Sequence, residues 1–182
     1  MCIELDKNKR FGKGRSRNVY LHPFNDSQCI KIQRASSPGA ANHCEIAFFN
    51  TNLSSPFYPK YYGQVKTNLG TGLVVGLIKD FDGQISKSLV HYLDANIITR
   101  QIAEGFILDI THHFISNKKL IHDANLENIL LQKDEAGNLK PVLIDGFGAK
   151  DTGVLYFLRA RISMLAVHKT KKLKKRMLNR LP

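Results

Sequence analysis

Two short apolar segments on either side of a polar turn constrain the fold of this chain more than any other feature. Residues 129–131 and 142–144 are apolar, and residues 133–138 between them contain a glycine and several turn-forming polar side chains. This pattern predicts a β-hairpin. Asn128 directly precedes the first segment and Asp145 directly follows the second, so both residues are expected at the same end of two adjacent strands.

Asp123, five residues before Asn128, adds a carboxylate to the same region of the chain. Mg²⁺ prefers oxygen ligands, which Asn128 and Asp145 offer, and phosphoryl transfer needs a carboxylate near the attacking hydroxyl, a role that suits Asp123. The three residues therefore predict a kinase-type site for metal-bound nucleotide. Turn formation is the alternative explanation, with Asp123 and Asn128 as turn caps and Asp145-Gly146 as a turn.

A second group of residues, nearer the N-terminus, has the order that a nucleotide site needs. Gly12 and Gly14 lie in a turn before a strand, where glycine lets backbone N–H groups approach phosphate oxygens closely. Lys31 is the single charge in the apolar segment 29–32, which is expected to pair with residues 19–21 in a hairpin. Lys31 has two interpretations: a lysine that contacts phosphate, or an edge lysine that points to water.

Glu45 decides between these two interpretations of Lys31. Residues 40–50 have helical periodicity, with a start at Ser36 to Gly39, and Glu45 lies beside the apolar face of this helix. A carboxylate there can pair with Lys31 and hold it over a nucleotide. The alternative for Glu45 is a solvated position on the helix surface.

The remaining segments are interpreted as structural elements that support the site. Strands over 61–63 and 70–78 complete an antiparallel sheet, and a polar segment follows over residues 79–83. Asp80 and Asp82 there could serve a ribose or a substrate, but turn formation is the better explanation. A long helix is predicted from Asp94, as N-cap, to Ser116. A second helix is predicted over about 154–168.

The charge of the chain is concentrated at its C-terminal end. The formal net charge is +12, and no aspartate or glutamate follows Asp151. Residues 169–182 therefore form a basic tail, for which three explanations remain: a solvated, partly frayed helix, attachment to anionic lipid headgroups, and binding to nucleic acid or an acidic protein. No aromatic residue follows Phe157, which argues against a platform for base stacking.

Length and cysteine content place the chain in a broad class. A chain of 182 residues is the size of about one domain, and it contains no leader and no apolar segment long enough to cross a bilayer. The three cysteines have no C-x-x-C spacing, so they are expected to be reduced thiols in a cytoplasmic protein.

The chain resembles the PhoP regulatory network protein YrbL family, small bacterial proteins of the protein-kinase-like fold. The likeness is carried by Gly12 to Gly14, Asn18 to Pro23, Cys29 to Ile32, His122 to Leu130 and Ile144 to Gly148. The resemblance implies an α+β, two-lobed ATP-binding fold with an antiparallel N-lobe sheet, one αC-type helix and a reduced helical C-lobe. It also implies a phosphate-holding Lys31 with Glu45, a catalytic base at Asp123 and metal positions at Asn128 and Asp145.

Several positions depart from the protein-kinase pattern. Arg17 and Asn18 occupy the place of the third loop glycine, and Asn125 stands where protein kinases carry a lysine that contacts the transferring phosphate. Gly146-Phe147-Gly148 follows Asp145, no Ala-Pro-Glu triplet occurs, and the segment after Asp145 is short. These differences argue against a conventional Ser/Thr/Tyr protein kinase.

Together these features predict a single kinase-like domain over residues 1–168, with an N-lobe to about residue 82, a C-lobe over 83–168 and a basic tail over 169–182. Its expected activity is Mg²⁺-dependent ATP binding with transfer of a phosphoryl group to a hydroxyl acceptor. Lys31, Glu45 and Asp123 are the expected catalytic residues. Gly12, Gly14, Lys31, Asn128 and Asp145 would bind the nucleotide, with the metal at Asn128 and Asp145. The alternative is a kinase-like regulatory or nucleotide-sensing module without turnover.

Overall fold

A computed structural model describes residues 2–14, 16–35, 41–50, 54–122, 125–148 and 163–182. The chain divides into two compact units, the first formed by Met1–Ser54 with Pro59–Leu77 and the second by Ser55–Tyr58 with Ile78–Pro182.

The first unit is built on a six-stranded sheet. Its strands are β1 (Cys2–Ile3), β2 (Arg10–Lys13), β3 (Arg17–His22), β4 (Asn25–Gln33), β5 (Tyr61–Thr67) and β6 (Gly70–Gly76). They lie in the order β1-β5-β6-β4-β3-β2, with β1 parallel to β5 and every other neighbouring pair antiparallel. The two predicted hairpins, β3–β4 and β5–β6, are confirmed. Both are closed by short turns rich in residues that disfavour strands.

Helix α1 (Ala41–Asn50) packs against β4 and β6. The helix predicted from periodicity is therefore present, while its predicted start at residues 36–40 lies outside the described residues. The first unit also contains a cluster of buried apolar residues, which consists of Ile3, Leu5, Tyr20, Ile30, Ile32 and Val74. The strands β4 and β6 thus contribute to this cluster and also support α1.

The second unit combines a small sheet with three described helices. Its elements are β7 (Lys87–Ser88), α2 (Leu89–Asp94), α3 (Arg100–Ser116), β8 (Ile129–Lys133), β9 (Leu139–Leu143) and α4 (Ser163–Leu178). The strand order is β7-β8-β9, and Ile129 pairs with Leu143, which confirms the predicted hairpin. The core consists of fully buried residues of α3, β8 and β9, among them Ile107, Phe114, Leu131 and Leu143.

The long helix predicted from Asp94 is wrong at its start. Asp94 ends α2, and Asn96 has a left-handed φ of 54° that breaks the chain direction. The N-cap of α3 is Thr99, whose hydroxyl accepts a hydrogen bond from the Ile102 N–H at 3.3 Å. Asparagine tolerates the left-handed region, so the chain can break between α2 and α3 at Asn96. The apolar periodicity continues across this break and therefore does not reveal it.

The basic segment at the C-terminal end is not a solvated, frayed tail. Residues 163–178 form α4, which packs against α3 with Leu173 and Met177 buried. The Arg100 guanidinium donates to the carbonyl oxygens of Leu181 and Pro182, at 2.8 Å each. The helix predicted over 154–168 lies mostly outside the described residues. Within the described part of the chain, no helix is long and apolar enough to cross a membrane.

Gly72 on β6 is expected to tolerate no side chain. A Cβ atom there would overlap the Ile30 Cγ2 methyl and lie 2.8 Å from Ile32 Cδ1, and both isoleucines are buried. Overpacking of this kind costs about 1–3 kcal/mol, so Gly72→Ala should lower the free energy of unfolding by about that amount in urea denaturation. Gly76→Ala is the control on the same strand, because its Cβ would meet nothing closer than 3.6 Å. Equal losses for the two variants would contradict the prediction.

Candidate functional site

One carboxylate and two cations form a buried cluster in the first unit. The Lys31 Nζ atom lies 2.6 Å from Glu45 Oε1, and the Arg17 guanidinium donates to Glu45 Oε2. The three side chains are 7%, 5% and 2% exposed for Lys31, Arg17 and Glu45 respectively. The expected pairing of Lys31 with Glu45 is therefore present, and the solvated alternatives for both residues are wrong.

Strand register explains how the two cations reach the same carboxylate. Arg17 pairs with Gln33 across β3 and β4, and Val19 pairs with Lys31. Side chains of paired residues share a face of the sheet, and positions two residues apart share it too. Arg17 and Lys31 therefore project from the same face, and both reach Glu45 on α1. Buried charges of this kind are stable only when they are paired.

Cys29 lies beside this cluster and is held in its neutral form. Burial raises the pKa of its thiol to about 11, with Lys31 and Arg17 opposing the increase and Glu45 adding to it. A thiol with this pKa is almost fully protonated at neutral pH, and the thiolate is the reactive species. Cys29 is therefore a packing residue, as the absence of paired cysteine spacings indicates.

The glycines near the N-terminus close a tight hairpin between β2 and β3. Gly12 pairs with Val19, and a Cβ atom at Gly12 would lie 3.2 Å from the Val19 Cβ. The Gly14 N–H donates to the Arg17 carbonyl at 2.9 Å. A side chain at position 12 would therefore crowd Val19, and a phosphate-holding role for the two glycines stays a prediction.

Asn128 and Asp145 lie at the same end of the β8–β9 hairpin. The Ile144 N–H donates to the Asn128 carbonyl at 2.8 Å, next to the pair formed by Ile129 and Leu143. Both residues are partly exposed. The predicted neighbourhood of the two residues is therefore confirmed for the backbone of the second unit.

The loop after Asp145 has a conformation that needs its glycines. Gly146 and Gly148 have φ values of 90° and 76°, which side chains strongly disfavour. Phe147 between them is buried and contacts the rings of Tyr58 and Phe114. The Asp145 carboxylate accepts a hydrogen bond from the Gly146 N–H at 2.6 Å, so the sequence Gly-Phe-Gly fixes the direction of this loop.

Asp123 lies outside the described residues, and the residues just before it are held by hydrogen bonds. The His122 N–H donates to the Gly146 carbonyl at 2.8 Å, and the His122 Nδ1 atom lies 3.0 Å from the Gly148 carbonyl. Ile121 and Phe147 also form an antiparallel bridge. The segment that leads into Asp123 is therefore hydrogen-bonded to the segment that follows Asp145.

Two arginines contact Asn125, one from α4 and one from the residues that follow α4. The Arg180 Nη1 atom donates to Asn125 Oδ1 at 2.9 Å, and Arg176 Nη2 lies 3.4 Å from the same oxygen. Sequence reasoning identified Asn125 as a departure from the kinase lysine and missed both arginines. It also missed the pairing of Arg17 with Glu45, which the alternation along β3 and β4 would have indicated.

The oxygen donors at the hairpin suit a magnesium ion. A carboxylate from Asp145 and an amide oxygen from Asn128 are hard ligands, and Mg²⁺ often takes only one or two protein ligands beside substrate phosphates. Among the described residues, no group of three His, Cys, Asp or Glu side chains is arranged to hold a metal. A magnesium site at Asn128 and Asp145 stays a prediction.

Asp80 and Asp82 form turns, as predicted. The Asp80 carboxylate accepts hydrogen bonds from the Ser86 hydroxyl at 2.5 Å and from the Lys133 N–H at 3.0 Å. Asp82 accepts from the Gln84 N–H at 3.0 Å. The Asp82 carboxylate therefore stabilises a local turn, and the Asp80 carboxylate also holds β8, which is distant in sequence.

The fold is that of the protein kinases. The chain matches the kinase domain of Mycobacterium tuberculosis PknI with a TM-score of 0.59 at 12% sequence identity, over 93% of this chain and 72% of that domain. Two substituted forms of the same domain give TM-scores of 0.52 and 0.53 at 14% and 12% identity, over 79% and 76% of this chain. In these two matches the chain spans only 60% and 56% of the solved domain. Identity this low shows the fold alone.

The sequence relationship is more specific than the fold. The family described as PhoP regulatory network protein YrbL matches residues 3–182, and the chain belongs to this family. It is 27% identical over 155 residues to YrbL of Escherichia coli K12 and, with the same values, to YrbL of Shigella flexneri. The match covers 80% of this chain and 73% of each relative.

Proposed function

We propose that this protein binds ATP together with Mg²⁺ and transfers the γ-phosphoryl group to a hydroxyl acceptor. The observation that carries the proposal is the buried ion pair between Lys31 Nζ and Glu45 Oε1 at 2.6 Å. Taking two charges out of water costs several kcal/mol per ion, and apolar residues of similar size often stabilise a fold as well or better. A buried lysine held by a helix glutamate is the arrangement that positions nucleotide phosphates in kinases.

Each residue of the candidate site then has a separate task. Lys31 would hold the phosphates, Glu45 fixes the direction of Lys31, and Gly12 and Gly14 would contribute backbone N–H groups to the phosphates. Asn128 and Asp145 would hold the magnesium ion, which would supply positive charge to the phosphate oxygens. Asp123 accepts a hydrogen bond from the acceptor hydroxyl and takes its proton during transfer.

A second candidate is a nucleotide-sensing regulatory protein without turnover. Arg17 favours it, because this arginine replaces a loop glycine and takes the second oxygen of Glu45. Asn125 favours it as well, since protein kinases carry there a lysine that contacts the transferring phosphate. Binding without turnover would distinguish this candidate from the enzyme.

Thermal unfolding with ATP, with and without Mg²⁺, tests the proposal. Ligand at about a hundred times its dissociation constant stabilises a fold by roughly 2.7 kcal/mol, so the wild type should show a clear rise in melting temperature that depends on Mg²⁺. Asp145→Ala should lose this rise. Asp109→Ala on α3, an exposed position of the same unit, should keep it. No rise of the wild type at millimolar Mg²⁺ and ATP would remove both candidates.

A further inference from the structure

A basic cavity in the second unit is lined by His122, the residue before Asp123, and by residues of α4 and the segment that follows it. It has a volume of about 560 Å³, and its polar lining includes His122, Lys169, Lys172, Lys175, Arg176 and Arg180. Cavities of roughly 300–1,000 Å³ bind small molecules. All of its lining residues belong to the second unit, so one compact part of the chain forms it.

Direct contacts connect the cavity with the candidate site. His122 immediately precedes Asp123, and Arg176 and Arg180 both reach Asn125 Oδ1, at 3.4 Å and 2.9 Å. The cavity is therefore lined by His122 and lies next to Asn125, and the proposed base stands between these two residues in the sequence. A molecule bound there would have its remaining atoms next to His122.

The charge of the cavity selects the class of ligand. No acidic residue follows Asp151, and none of the ion pairs within the described residues involves Lys172 or Lys175. Lysine and arginine side chains three or four residues apart on α4 repel one another and destabilise the helix. Burial of Leu173 and Met177 in the core stabilises the helix against this repulsion. The helix thus holds several cations around one small volume, which suits an anion of high charge density.

Building on the proposed phosphoryl transfer, we infer that this cavity binds a phosphate group of the acceptor. The acceptor is then a small, soluble molecule that carries a hydroxyl and a phosphate. Lys172, Lys175 and Arg176 hold the phosphate, and the hydroxyl lies on the side of the cavity formed by His122. Arg180 and Arg176 hold the Asn125 side chain in place through their contacts with its Oδ1 atom.

Binding of phosphate probes, measured by calorimetry without nucleotide and without Mg²⁺, tests this assignment. The probes are inorganic phosphate and glucose 6-phosphate, with glucose as the uncharged control. The test variant is Lys172→Gln with Lys175→Gln, and the matched control is Lys171→Gln with Lys174→Gln. The control removes the same charge from the same helix at positions that do not line the cavity.

We expect saturable binding of both phosphate probes and none of glucose, with at least about tenfold weaker binding in the test variant and unchanged binding in the control. Equal weakening in both variants would show a diffuse charge effect and overturn the assignment. So would the absence of binding at 10 mM probe, taken as roughly the weakest useful affinity.

Two further arms separate other sources of the anion. Phosphatidylcholine vesicles with and without phosphatidic acid test a lipid headgroup, and a short single-stranded oligonucleotide tests nucleic acid. Cavity-dependent binding to either, with no binding of the soluble probes, would overturn the assignment to a small acceptor. Phosphate binding in a protein that shows no Mg²⁺-dependent ATP stabilisation would overturn the acceptor role. ATP stabilisation without phosphate binding would overturn only the cavity assignment.

Discussion

Glu45→Ala is expected to destabilise the first unit by about 3–5 kcal/mol. The substitution leaves Lys31 and Arg17 without the carboxylate that both contact, although the two cations are only 7% and 5% exposed. A buried charge without a partner must either be hydrated by local opening or lose its proton, and both outcomes favour the unfolded state. Urea denaturation followed by circular dichroism measures the loss as a lower midpoint.

Glu104→Ala is the matched control for this prediction. Glu104 pairs with Arg100 one turn away on α3 at 3.0 Å, but the two side chains are 40% and 52% exposed. Exposed pairs of this kind contribute about 0.3–0.5 kcal/mol, so its loss should be hardly measurable. A triple variant with Glu45→Leu, Lys31→Met and Arg17→Met should regain most of the stability, because it removes all three charges together. Similar losses for Glu45→Ala and Glu104→Ala would contradict the prediction.

Asp123→Ala is expected to slow phosphoryl transfer by about 10²–10⁴-fold and to leave nucleotide binding intact. A positioned general base contributes a factor of this size, whereas Asp123 is not among the proposed metal ligands. ADP formation from Mg²⁺-ATP measures turnover, and the melting temperature with Mg²⁺-ATP measures binding on the same sample.

Asp145→Ala separates the two effects, since it should lose both turnover and the stabilisation by Mg²⁺-ATP. Asp109→Ala should lose neither. Turnover of Asp123→Ala at the wild-type rate would remove Asp123 from the role of base. Nucleotide binding by the wild type without any turnover would instead favour the sensing module.

Local patterns are enough to predict most of the strands of this fold. The hairpins β3–β4, β5–β6 and β8–β9 follow from apolar segments joined by turn residues, and these signals act between residues close in sequence. The neighbourhood of Asn128 and Asp145 follows from the same hairpin. The pairing of Lys31 with Glu45 was predicted from the position of Glu45 beside the apolar face of its helix, although a charged residue in a strand more often faces water.

Local backbone geometry and contacts between distant segments account for what the sequence did not reveal. The break between α2 and α3 depends on the left-handed φ of Asn96, which periodicity does not detect. The packing of α4 depends on burial of Leu173 and Met177 and on the contact of Arg100 with the last carbonyl groups. In the sequence alone, the charge of residues 169–182 outweighs these few apolar positions, so the segment resembles a solvated tail.

The bridge between Ile121 and Phe147 bears on how such a protein is regulated. In protein kinases, the packing of the phenylalanine after the metal-binding aspartate separates active from inactive states. Here Phe147 is 1% exposed, and backbone bonds on both sides tie its loop to residues 120–122. Moving this ring outward would break those bonds and displace the segment before Asp123 in the same event. A movement of this phenylalanine would therefore displace both segments together.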